Sequence, residues 1–97
     1  MLRRIIFSLS LLLVALVANA EVRVGAAQTD KYFPLLEGRR VALFSNHTGM
    51  VGDKHTVDLM LDGGINVVTL FSPEHGFRGT ADAGEHVASG IDGPTGL

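Results

Sequence analysis

VALFSNHTGMVGDKHTVDLMLDGGINVVTLF, residues 41–71, is the stretch that decides the fold. It opens on the apolar run Val41-Ala42-Leu43-Phe44-Ser45 and closes on Ile65-Asn66-Val67-Val68-Thr69-Leu70-Phe71. Both runs have the length of strands, the second is rich in β-branched residues, and the compact first one is of the kind buried in parallel sheets. Between them, Asn46 to Gly52 holds two glycines and polar side chains and is expected to be a loop. Asp53 is placed to cap a helix, its carboxylate accepting the free backbone N–H groups of the first turn. In that helix Val57, Met60 and Leu61 fall at i, i+3 and i+4 as one apolar stripe, and Gly63-Gly64 closes it. His55, early in the same helix, is expected at the surface. Strand, helix and strand with such short connections make a βαβ unit, and its crossover should be right-handed. The fold class is therefore α/β.

Upstream, Ala26 to Glu37 carries Tyr32, Phe33, Leu35 and Leu36 among polar residues and stops at Gly38, which predicts a short helix. Pro34 should kink it or start a second short turn. Downstream, Ser72 to Leu97 is polar and glycine-rich with no third strand, a long irregular tail for a compact domain. Two parallel strands with one crossover helix also leave sheet edges and faces uncovered, which this fold class does not normally permit. These features predict the opening part of a larger sheet.

Residues 1–20, MLRRIIFSLSLLLVALVANA, are of a different kind. Two arginines precede an apolar run from Ile5 to Val17, and Ala18-Asn19-Ala20 supplies small residues before Glu21. That order predicts a secretory signal peptide cleaved after Ala20. A spanning helix needs about 20 apolar residues, and this run is shorter and interrupted by Ser8 and Ser10. With the signal removed, no stable membrane insertion is expected, and the mature chain works outside the cytoplasm.

Residues 21–97 keep all ten acidic groups and six of the eight basic ones, a net charge of −4. That balance argues against binding a nucleic-acid backbone, which needs clustered Lys and Arg. The chain has no cysteine, so disulfide scaffolds, zinc ribbons and thiol catalysis are excluded. There is no G-x-G-x-x-G and no Walker loop, so no nucleotide and no cofactor is expected. A chain this short supports only about 3–5 kcal/mol from a single core. By itself it is expected to fold marginally and to be inactive.

In open α/β sheets, ligands bind outside the carboxyl ends of the strands. Here the segments leaving those ends are Asn46-His47-Thr48-Gly49 and Ser72-Pro73-Glu74-His75-Gly76-Phe77-Arg78-Gly79. If the strands are neighbours, Asn46, His47, Glu74, His75 and Arg78 come within reach of one ligand. Glu74 is the natural acid/base candidate, because partial desolvation at a strand mouth favours the neutral carboxyl. His75 and Arg78 can tune it or hold an anion, arginine by a two-pronged fork. Composition alone favours a loop-ordering Glu74–Arg78 ion pair with His75 as a hydrogen-bond donor over this acid/base reading. Asp82, Glu85 and His86 extend the polar cluster, but their spacing matches no established metal motif, and no metal site is assigned. Asn46-His47-Thr48 also fits the short N-glycosylation pattern.

SNHTG (45–49), NVVTLFSPEHGFRG (66–79) and ADAGE (81–85) together resemble the exo-β-N-acetylmuramidase family of peptidoglycan glycosidases, long known as a domain of unknown function. The likeness runs from about Val22 to Leu97. It implies a Rossmann-like N-terminal domain with a doubly wound parallel sheet, a smaller C-terminal domain, and an active site in the cleft between them. It implies as activity the release of N-acetylmuramic acid from the non-reducing ends of peptidoglycan fragments. Carried over by motif, Glu74 is the leading catalytic carboxyl with His75 beside it, and Asn46, Arg78 and Glu85 line the pocket. Muramic acid carries an anionic lactyl group, which Arg78 suits. Family members are several times longer, so residues 21–97 correspond to a truncated N-terminal part. Glycoside hydrolysis uses two carboxyls, about 5–5.5 Å apart for retention or 6.5–9.5 Å for inversion. The second is Asp82, Glu85 or a residue beyond Leu97, which leaves the stereochemistry open. A non-catalytic carbohydrate-binding module built from the same loops is the alternative from a different class.

Overall fold

A computed structural model describes residues 21–97; the expected signal peptide lies outside the described residues. A 3-10 turn at Gly25–Ala27 leads into helix α1 (Thr29–Leu36) and strand β1 (Arg40–Phe44). Two short strands follow, β2 (Met50–Val51) and β3 (Lys54–His55), then helix α2 (Thr56–Asp62) and strand β4 (Asn66–Phe71). β1 and β4 pair in parallel with α2 between them in the chain. The βαβ reading and the α/β class hold.

The register carries one irregularity. Val41 stands opposite Val67, but Ala42 stands opposite Thr69, so Val68 is an extra residue bulged out of β4. The bulge puts Val67 and Leu70 on the same face as Val41 and Leu43. That face packs on Met60 and Ile65, with Tyr32, Phe33 and Leu36 of α1 and Leu97 completing the cluster. The opposite face is bare: Phe44 is 68% exposed and its partner Phe71 57%. The expectation of fully buried strands is corrected accordingly. Burial along β1 alternates, because no layer among the described residues covers the second face.

Three local readings also change. Residues 46–52 are not all loop, since Met50 and Val51 pair antiparallel with His55 and Lys54. The connecting Gly52-Asp53 is a two-residue hairpin turn with Gly52 at φ 63, the glycine-first form that matches strand twist. Asp53 is therefore a turn residue, and the cap of α2 is His55, whose Nδ1 accepts the Val57 N–H. His55 is not on the surface but only 4% exposed. Finally, the predicted helix over 26–37 divides at Gln28, not at Pro34, which lies inside α1. Pro34 is exposed, so the carbonyl it leaves unbonded on this short helix meets water.

The far end of α2 follows the expected glycine stop. Ile65 N–H donates to Met60 O at 2.9 Å and Gly64 N–H to Leu61 O at 3.1 Å, with Gly64 at φ 78. This is a Schellman closure, accompanied by the apolar contact of Met60 with Ile65 that the motif favours. It turns the chain directly into β4 and so sets where the loop after β4 emerges.

Candidate active site

The loops leaving β1 and β4 emerge side by side. Ser45 N–H donates to Phe71 O at 2.9 Å, carrying the ladder one residue past β1. In the first loop the Asn46 Oδ1 accepts from Thr48 N–H at 3.0 Å and from Thr48 Oγ1 at 2.6 Å. This is an Asx turn, in which the asparagine side chain replaces a backbone acceptor. The Asn46 carbonyl accepts from Gly49 N–H, and Gly49 O in turn accepts from Thr56 N–H and Oγ1. The loop is thus tied to the start of α2.

The second loop is built from tight turns. Gly76 N–H donates to Pro73 O at 3.2 Å, closing a four-residue turn with Glu74 and His75 at its centre. His75 has φ 73, the left-handed region that a type II turn demands at that position. Histidine tolerates this region better than most side chains, yet it stores of order 1–3 kcal/mol of strain. Reciprocal bonds hold the residue there. Its Nδ1–H donates to Ala81 O at 2.7 Å while Ala81 N–H donates to His75 O at 3.1 Å. A carbonyl only accepts, so the Nδ1 proton is fixed and Nε2 is left as the ring's free nitrogen.

The two loops meet at Gly79. Its φ is 71, and the His47 imidazole occupies the space a Cβ would need. Phe77 meets the buried His55 ring at 4.9 Å between centroids, and Arg78 lies 5.1 Å over the Phe77 ring. Arg78 does not pair with Glu74. Its Nε and Nη2 both donate to Asp92, at 2.8 Å each, in the planar fork geometry arginine offers. The loop-ordering ion pair exists, but its acid is Asp92. Glu74 is exposed and its Oε1 accepts from Gly84 N–H at 2.7 Å. Glu85 closes the turn 82–85, its Oε2 accepting from Asp82 N–H at 2.7 Å. Among the described residues no three acidic or histidine side chains converge where a metal ion could sit.

Between the end of β4, the second loop and the tail lies a hollow of about 520 Å³. Its walls include Phe71, His75, Phe77, Arg78, Ser89 and Asp92. Of the residues singled out in the sequence, it takes His75 and Arg78; Asn46, Glu74 and Glu85 lie outside its lining. Sequence reasoning missed His55, Phe77 and Asp92. For Asp92 there was a signal. Asp-Gly-Pro-Thr is a turn sequence, and Asp92 Oδ2 accepts from both the N–H and the hydroxyl of Thr95.

The Arg78 bond, with smaller help from Thr95, holds the Asp92 carboxyl well below its ordinary 3.8. A depressed folded pKa contributes stability that is complete above the unfolded value and is lost as pH falls through the folded one. Asp92→Asn should therefore melt below the unaltered chain by a constant gap from pH 7 down to about pH 4. The gap should close as pH drops further. Thermal melts of both chains between pH 2 and 7 measure this, and a gap as wide at pH 2 as at pH 4 excludes the carboxylate as its source.

Residues 41–97 match the family described as "Exo-beta-N-acetylmuramidase NamZ, N-terminal". The peptidoglycan β-N-acetylmuramidase NamZ of Bacillus subtilis (strain 168) is 41% identical over 68 residues, covering 68% of this chain and 16% of that protein. A crystal structure of a DUF1343 family protein from Bacteroides fragilis is 51% identical, with a TM-score of 0.65. That similarity covers 80% of this chain and 20% of the other. The matched parts thus span a fifth or less of these relatives.

Proposed function

This chain belongs to the family of NamZ exo-β-N-acetylmuramidase N-terminal domains, and we propose that it supplies one wall of a muramidase active site. The reading is an extracytoplasmic glycosidase that releases N-acetylmuramic acid from the non-reducing ends of peptidoglycan fragments. The remainder of the cleft comes from sequence outside these residues, including a smaller C-terminal domain. The sheet, in this reading, is the first part of a Rossmann-like, doubly wound domain. One observation carries the proposal: the family match spans both strand-end loops, and those loops are held against each other through His47 and Gly79.

Hydrolysis of a glycoside needs an acid to protonate the departing oxygen and a second group to stabilise or attack the sugar carbon. Glu74 takes the first role. It sits at the crest of the turn, with one oxygen held by Gly84 N–H and the other without a protein partner among the described residues. His75 lines the hollow, and its Nε2 accepts a hydrogen bond from a hydroxyl of the bound sugar. Arg78 is already neutralised by Asp92, so it binds the lactyl carboxylate through the free Nη1 as a hydrogen-bond donor. Asn46 and Glu85 are assigned to the saccharide rim.

The exposure of Glu74 outside the hollow is the observation that favours a binding-only module. The two readings separate on a chromogenic β-N-acetylmuramide offered to the full-length protein. The muramidase reading expects release of the chromophore, and little from the matching N-acetylglucosaminide, which lacks the lactyl group. Saturable binding of the muramide with no release supports the binding module instead.

A further inference from the structure

His55 is the one buried imidazole among the described residues, and the proposed reaction makes no use of it. Its ring engages three segments at once. Nδ1 accepts the Val57 N–H at 3.0 Å and caps α2. Nε2 bonds the Asn46 carbonyl at 2.6 Å, in the loop after β1. Its ring meets that of Phe77, in the loop after β4, with the planes inclined at 50°. The partners fix the tautomer: Val57 N–H can only donate and the Asn46 carbonyl only accept, so the proton is on Nε2.

A helix cap alone does not explain this residue. Ser, Thr, Asn and Asp are the side chains that cap well, and each is too short to reach Asn46 and Phe77 as well. The site is also tight: a Cβ on Gly49 would stand 3.1 Å from His55 Nε2. We infer that His55 is a positioning residue that locks the loop after β1 and the loop after β4 to the start of α2 as one rigid unit. This deepens the muramidase reading, because those loops carry Asn46, Glu74, His75 and Arg78, but its test does not depend on turnover.

The test uses His55→Asn in the full chain. Asparagine keeps the cap, since its oxygen can accept the Val57 N–H, while the bond to Asn46 and the contact with Phe77 are lost. Amide hydrogen exchange is expected to show protection at Gly49, Gly79 and Ala81 falling tenfold or more, with α2 unchanged and the melting temperature within a few degrees. Phe77→Leu should lower protection at Gly76, Gly79 and Ala81 only. In the unaltered chain, nitrogen-15 spectra of the His55 ring should show a slowly exchanging proton on Nε2 and none on Nδ1. Unchanged loop protection in either variant, a uniform loss across the whole fold in His55→Asn, or a proton on Nδ1 would each overturn the inference. For activity, His55→Asn is expected to lower kcat about tenfold without altering the pH profile. If the unaltered protein shows no turnover, the muramidase reading fails while the exchange result still decides the role of His55.

Discussion

Glu74→Gln is expected to lower turnover of a β-N-acetylmuramide by about 10²–10⁴-fold, the range that loss of a general acid produces. Muramic-acid ligands should still bind with nearly unchanged affinity. The substitution is conservative where structure is concerned. Glutamine has the same length, and its amide oxygen can take over the Gly84 N–H that Glu74 Oε1 now accepts at 2.7 Å. Glu74 is exposed, so its loss leaves no buried group without a partner. The melting temperature should therefore stay put while kcat collapses. Steady-state kinetics with a parallel binding titration read both quantities. Undiminished turnover removes Glu74 from the reaction and shifts attention to His75, which lines the hollow.

The largest effect on stability is expected from Gly79→Ala. Two costs combine at this position. An alanine at φ 71 pays of order 1–2 kcal/mol for the left-handed backbone. The new methyl must also displace the exposed His47 imidazole, which can turn toward solvent, so this part costs about 1 kcal/mol, the low end of overpacking. A total of roughly 2–3 kcal/mol would move the melting temperature by about 10 °C or more in a domain of this size. The two contributions can be separated. In a His47→Ala background the steric part vanishes, so Gly79→Ala should then cost only the backbone share. Equal costs in both backgrounds would show that the loops do not meet through this pair.

The parallel pair and its crossover helix were legible because the signals are local and strong. Two β-branched or aromatic runs flank a segment with one apolar stripe, and a double glycine ends that segment. The hairpin of β2 and β3 was legible in principle, since Val51-Gly52-Asp53-Lys54 carries the Gly-Asp turn pair. A two-residue strand is too short to show periodicity, so Asp53 was assigned to the neighbouring helix. The burial of His55 could not be seen at all. It depends on Phe77, twenty-two residues away, closing over the ring. The partner of Arg78 was hidden for the same reason. Glu74 is near in sequence and Asp92 is not, but the turn at Pro73–Gly76 aims Glu74 at Gly84 and leaves the guanidinium to the returning tail. Residues that share a loop were identified by type, while their pairing was settled by chain geometry.

The bulge at Val68 makes pairing register a condition of this sequence alongside hydrophobicity. Side chains alternate along a strand, so pairing these same residues without the bulge would exchange inside for outside from that point on. Leu70 would turn to the bare face and Thr69 would enter the apolar cluster. The chain would reach Ser72 rotated by half a turn about the strand axis, and the Glu74–His75 crest would point to the other side of the sheet. The strand can accept a range of apolar substitutions, but flattening the bulge while keeping every residue re-aims everything that follows it.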